Sequence, residues 1–210
     1  MLELNERVKK IAEGAALMTE TTVSISIMSA VSNMLGNTPL EDAMFKNIDR
    51  LGPVPFDAAD KAYAARIQAT LGPADILNDY RKTGIAPRED TPLCDFVVPQ
   101  GTRGVPMIGS TDVADVSWKV PTIQARVATH AIGTPGHSWQ ITAQGKAPAA
   151  HKGMVHAAKI MAATAVDVIS DETLLARAKK DHQERVTQTP YVCPIPAEVK
   201  PPIKPRPEAA

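Results

Sequence analysis

Leu4, Val8, Ile11, Ala15 and Met18 recur at helical spacing along the opening segment, with Glu3, Glu6, Lys9, Lys10 and Glu13 on the other faces. That pattern predicts an amphipathic helix. Immediately after it the period changes. Val23, Ile25 and Ile27 alternate with Thr22, Ser24 and Ser26, the signature of a half-buried strand. A strand needs neighbours for its N–H and C=O groups, yet no second alternating run follows nearby. Its natural partners are expected outside this chain or upstream of its first residue.

Two further helices are bounded by glycine and proline. In "NTPLEDAMFKNIDRLGP" Thr38 can cap, Pro39 suits the first turn, Glu41 and Asp42 sit near the positive end, and Gly52-Pro53 stops the helix. "FDAADKAYAARIQATLGP" repeats the scheme with Asp57 as cap and a Gly72-Pro73 stop. Both are expected on the surface. Residues 73–106 are rich in proline, glycine and charge and read as a long loop or insertion with a short apolar run, "CDFVV".

Val105 to Ile108 reads as a short buried strand and Ser110 to Val116 as a turn or short helix. Thr122 to Ile132 reads as a strand with Ile123, Ala125, Val127 and Thr129 on one face. The following helix, "AAHKGMVHAAKIMAATAVDVIS", offers a broad small-residue face of Met154, Ala158, Met161, Ala162, Ala165 and Val168, suited to close packing on a sheet. A last amphipathic helix, "DETLLARAKKDHQERV", has Asp171 as cap and Leu174, Leu175 and Ala178 inward. These are the ingredients of a sheet core with functional loops at strand ends. The proline-rich tail, residues 188–210, is expected to be extended and without a core of its own.

Composition narrows the function classes. The 210 residues are 44% hydrophobic and 22% charged, which fits a globular protein. Lysine plus arginine equals aspartate plus glutamate at 23 each, so net charge recommends neither nucleic acid nor an anionic membrane. No uncharged run approaches the ~18 residues of a membrane span, and the charged N-terminus does not resemble a signal peptide. Cys94 and Cys193 are too far apart and too few for a disulfide scaffold or a zinc ribbon. A cytoplasmic protein is expected.

Few residues invite chemistry. His137 stands in "GTPGHSWQ", a glycine-rich loop at the end of the Thr122 to Ile132 run, where ligands and proton-transfer groups commonly sit. Asp112 and Asp115 lie three apart in "GSTDVADVSW". They could bind a metal, orient a histidine, or cap the helix that begins there. His151 and His156, five apart on one helix, point about 140° apart and cannot share a metal as an i, i+4 pair does. His182 reads as solvated and His130 as structural. A Ser138, His137 and Asp112 hydrolase arrangement lacks a Gly-x-Ser-x-Gly elbow and is disfavoured.

Four blocks in order, "KKIAEGAALMTETTV", "GSTDVADVSWKVPT", "GTPGHSWQ" and "HKGMVHAAKIMAATAVDVI", resemble the metal-dependent amidohydrolase, aminoacylase and carboxypeptidase family of zinc peptidases, and its C-terminal part in particular. The resemblance implies that residues 1–32 end a lid or dimerisation domain, and that 33–187 form the C-terminal part of an α/β catalytic domain. It implies a divalent metal, zinc or manganese, in the complete enzyme, a p-aminobenzoyl-glutamate-like amide as substrate, and a homo- or hetero-dimer through the lid. His137 matches the family's last metal ligand, and Asp112 matches an acidic position close to the site and is the catalytic candidate. Where this chain has Gly136-His137-Ser138-Trp139 and "GSTDV", many relatives have His-His-Ser-Pro and Gly-Ser-Glu-Asp-Phe. A two-metal hydrolase needs about five or six ligands and a general base. The chain has no Cys-x-His, His-x-Asp or Glu-Glu, so it is expected to be inactive alone and not to bind metal stoichiometrically. Association with a full-length relative as a non-catalytic partner is the alternative.

Overall fold

The computed structural model describes residues 2–106, 109–201 and 203. The regular elements among them are helices: α1 (Leu2–Met18), α2 (Thr38–Leu51), α3 (Ala58–Gln68), α4 (Pro73–Thr83), α5 (Val113–Ser117), α6 (Trp139–Gln144), α7 (Pro148–Ser170) and α8 (Glu172–Gln188). The packed centre is the triangle of α2, α7 and α8. Leu40, Ala43 and Met44 of α2, Ile160 of α7, and Leu174 and Ala178 of α8 are buried there. A second cluster joins Ala64 and Ile67 of α3 to Leu93, Ala131 and Ala149, with Phe56 and Tyr63 packed against it.

The expected α/β class is overturned, because no strand occurs among the described residues. Residues 19–37 and 119–138 contain the two strongest alternating runs, yet neither forms a strand ladder with another described segment. The alternation describes two faces but supplies no neighbour for the backbone. Around Ala131 to Gly133 the polar backbone groups are instead satisfied one at a time. Gln144 Oε1 accepts from the Ala131 N–H at 2.7 Å, and the Pro92 carbonyl accepts from the Ile132 N–H at 2.9 Å. Gln68 Nε2 donates to the Ile132 carbonyl, and Asp79 Oδ2 accepts from the Gly133 N–H. The Val105 to Ile108 reading covers Met107 and Ile108, which lie outside the described residues, while Val105 and Pro106 are irregular.

The helices follow their end signals more closely than their faces. The cap of α2 is Asn37, whose Oδ1 accepts from the Leu40 N–H while its amide donates to the Ala178 carbonyl; Thr38 is the first helical residue. This fully buried cap pins α2 to α8, so α2 is a core element and not a surface one. Asp57 and Asp60 form the reciprocal capping box of α3, and Asp171 caps α8. The segment expected to be wholly irregular begins with α4, whose Tyr80 is buried.

Helix α7 packs with a different face from the one its apolar pattern suggests. Ala149, Gly153, His156, Ile160 and Thr164 are buried, while Met154, Ala158, Met161, Ala162 and Ala165 are exposed. Close approach selects the face. A Cβ at Gly153 would drive into the Ala128 carbonyl. The polar members of this stripe are also satisfied, His156 Nε2 by the Gly52 carbonyl at 2.9 Å and Thr164 by the Ile160 carbonyl and Asn47. Helix α7 is long and apolar enough to cross a membrane by length and composition, although one stripe of it is committed to α2 and α8.

Candidate functional site

The Gly133 to Gln140 loop is held from both sides. Gly133 adopts φ +88° against Ile76 of α4, where a Cβ would have no room. Thr134 Oγ1 donates to the Ala131 carbonyl at 2.7 Å and accepts from Gln144 Nε2 at 3.1 Å. Ser138 Oγ donates to the Pro135 carbonyl and accepts from the Ile141 N–H, capping α6. Its hydroxyl is thus committed to local structure.

His137 sits at the apex of this loop, exposed, with a left-handed backbone at φ +57°. A side chain with a Cβ is uncommon there, although histidine tolerates the region better than most. The loop is fixed by buried Gln144 and by Gln68 and Asp79 behind it, none of which the sequence pattern singled out. For Gln68 and Asp79 the one sequence signal is polarity on helices that also carry buried positions, Ala64 and Ile67 on α3 and Tyr80 on α4; Gln144 is the single buried residue of α6.

Asp112 precedes α5 with helical dihedrals, is exposed, and makes no capping bond. His137 and Asp112 share no hydrogen bond and line none of the same described cavities. Asp115 has a definite role. Its Oδ2 accepts from the Ser32 N–H at 3.1 Å and its Oδ1 from the Tyr191 hydroxyl at 2.7 Å. Tyr191 also packs at 5.8 Å from Trp118, and Lys119 Nζ lies 4.5 Å from its ring centre. The hydrogen bond to Asp115 holds the Tyr191 phenol well above its ordinary range.

The remaining histidines have separate surroundings. His130 is half-buried beside Thr129 Oγ1, and burial lowers its pKa, opposed by the Asp79 charge. It shares a cavity of about 320 Å³ with exposed His151. His182, expected in solvent, is half-buried and bonds the Ser117 carbonyl at 3.0 Å through Nε2. A zinc or manganese centre requires several converging donors. Among the described residues no three of His, Cys, Asp and Glu converge on one point. The donors present therefore do not fit a metal as a self-contained site.

Comparison with known proteins places the chain beside one component of a bacterial hydrolase. That relative is a subunit of p-aminobenzoyl-glutamate hydrolase from Escherichia coli (strain K12), and the match is 42% identical over 210 residues. It covers 95% of this chain but 44% of the relative, so the chain spans less than half the relative's length. The similarity to that subunit thus runs over nearly the whole chain. No protein-family profile matches, and no solved structure matches.

Proposed function

We propose that the chain contributes part of a cytoplasmic, metal-dependent amidohydrolase that hydrolyses a p-aminobenzoyl-glutamate-like amide. The observation that carries this reading is the 42% identity across 95% of the chain. In the complete enzyme His137 provides one ligand to zinc or manganese, and Asp112 tunes or orients the site. The bonded loop supports the first role, because Gln144, Thr134 and Ser138 fix the backbone on either side of His137 and lower the freedom it loses on binding. The other ligands and the general base would come from the portion of the relative that this chain does not match. Alone, the chain neither turns over substrate nor binds metal stoichiometrically. The test is to assay the purified chain on p-aminobenzoyl-glutamate with zinc or manganese added. Two tightly bound metals together with turnover would refute the claim of inactivity.

A second reading, a non-catalytic partner of a full-length relative, rests on α1. This helix buries no residue, and Leu4, Val8, Ile11 and Met18 are exposed on it, as are Val23 and Ile25 beyond it. A helix in water normally covers such a stripe. Light scattering of the chain mixed with a full-length relative should show a stable mixed complex; separate species at all concentrations would exclude this role.

A further inference from the structure

A cavity of about 220 Å³ lies between α2, α7 and the irregular segments around Phe96 and Val127. Phe45, Ile48, Val54, Phe96, Val98 and Ile160 give it a largely apolar wall. Three polar side chains also reach it: Cys94, His156 and Arg126. Two are already engaged. His156 Nε2 bonds the Gly52 carbonyl, and the Cys94 thiol bonds the Phe96 carbonyl at 3.5 Å. Burial pushes the Cys94 thiol up, so it presents a neutral wall.

Arg126 is different. It is exposed, lines the cavity, and makes no hydrogen bond or ion pair among the described residues. No carboxylate lines the cavity, and the neighbouring Asp95 is paired with Lys61. A second cation, Arg88, lies 3.6 Å from the centre of the Phe96 ring. Among the lining residues Arg126 is thus the charged one, set in a largely apolar wall. Small hydrated anions are poor occupants, because entry strips their water without apolar gain. A cavity of about 150 Å³ holds benzene, whereas drug-sized ligands need about 300 Å³ or more. The present volume suits one ring or branched chain with a single carboxylate.

We infer that this cavity binds a small apolar monocarboxylate, its hydrocarbon body between Phe45, Phe96 and Ile160 and its carboxylate on Arg126. None of these residues belongs to the His137 loop, so the inference stands apart from the function proposed above. Cys94 provides the readout. In a Cys193→Ser background, which removes the exposed thiol, alkylation reports Cys94 alone. Benzoate is expected to slow that alkylation saturably, neutral benzamide to bind about tenfold more weakly, and acetate to have no effect, since one charge-assisted hydrogen bond is worth about a factor of ten. Arg126→Gln should weaken benzoate about tenfold and leave benzamide unchanged. Val98→Trp, which fills the cavity, should abolish both with an unchanged circular dichroism spectrum. Equal binding of benzoate and benzamide, an Arg126→Gln variant that binds benzoate normally, or no saturable protection overturns the inference. So does Cys94 protection that depends only on protein concentration, which would mean that a second copy fills the cavity.

Discussion

The Tyr191 hydroxyl donates to Asp115 Oδ1 at 2.7 Å while Oδ2 of the same carboxylate accepts from the Ser32 N–H. One side chain thereby ties three distant segments together: the stretch before α2, the short helix α5 and the chain after α8. The neighbouring contacts repeat the connection, with Trp118 Nε1 donating to the Asn33 carbonyl and Ser117 Oγ accepting from the Leu35 N–H. The aspartate pair that the sequence offers as candidate chemistry is thus divided: Asp115 is a structural clamp and Asp112 is left exposed.

Tyr191→Phe removes one hydrogen bond and leaves Asp115 with a single partner, so a loss of about 1 kcal/mol is expected. Asp115→Ala strands both donors and should cost about twice as much. Urea denaturation measures the difference, and limited proteolysis should cut after α8 faster in both variants. Equal resistance in wild type and Asp115→Ala would show that the clamp does not hold the tail.

Lys152 bridges Asp57 and Asp60 of the α3 capping box. The Asp60 side chain is only 2% exposed, so losing its cation leaves a buried carboxylate with the Asp57 N–H as its remaining bonded donor. Lys152→Met should lower the urea midpoint. The Lys152 hydrogen bond lowers the Asp57 pKa from 3.8. That contribution is present above the unfolded value and is lost as pH falls through the lower folded one. Wild type should therefore lose stability in acid more steeply than Lys152→Met, as urea midpoints across the acid range would show.

What was legible in the sequence follows from where the information is local. Asp57, Asp171, Pro39 and Gly52 mark helix ends because caps and stops act within one turn, and these helices lie where those residues place them. Strand readings fail because a strand is a relation between segments: Val23 to Ile27 alternates perfectly well and still has no ladder. The α7 face departs from its apolar pattern because hydrophobicity is only one guide: Gly153 packs for being small, and His156 and Thr164 for finding partners. In the candidate site the His137 loop was visible through its glycines. Gln144, thirteen residues from the Ala131 N–H that it satisfies, carries no motif by which to find it.

His130 sets a pH dependence near neutrality. Burial lowers its pKa from 6.5; Asp79 opposes the shift and Arg126 adds to it. A depressed histidine keeps its contribution above the unfolded value, and stability declines as pH falls through the folded one, because the unfolded chain takes the proton first. Urea midpoints should drop as pH falls from about 7.5 through the ordinary histidine value of about 6.5 and below it. His130→Asn, which leaves a polar group beside Thr129 and cannot titrate, should flatten that slope. A slope unchanged by the substitution would assign the pH dependence to another group.

His137 combines exposure, a left-handed backbone and a loop fixed on both sides. Left-handed geometry costs a residue with a Cβ about 1–2 kcal/mol, and glycine avoids that cost while losing about 0.5–1 kcal/mol in chain entropy. If His137 contributes nothing else to the fold, His137→Gly should leave stability unchanged or raise it by up to about 1 kcal/mol. The proposed ligand role predicts in addition that this substitution abolishes metal-dependent turnover in the complete enzyme, because glycine offers no donor. His137→Gln provides the complementary case: it keeps the backbone cost and a polar head but lacks an imidazole donor, so it should show wild-type stability with the same loss of turnover. Retained turnover in both variants would remove His137 from the metal site, and a marked loss of stability in His137→Gly would show that the imidazole supports the loop.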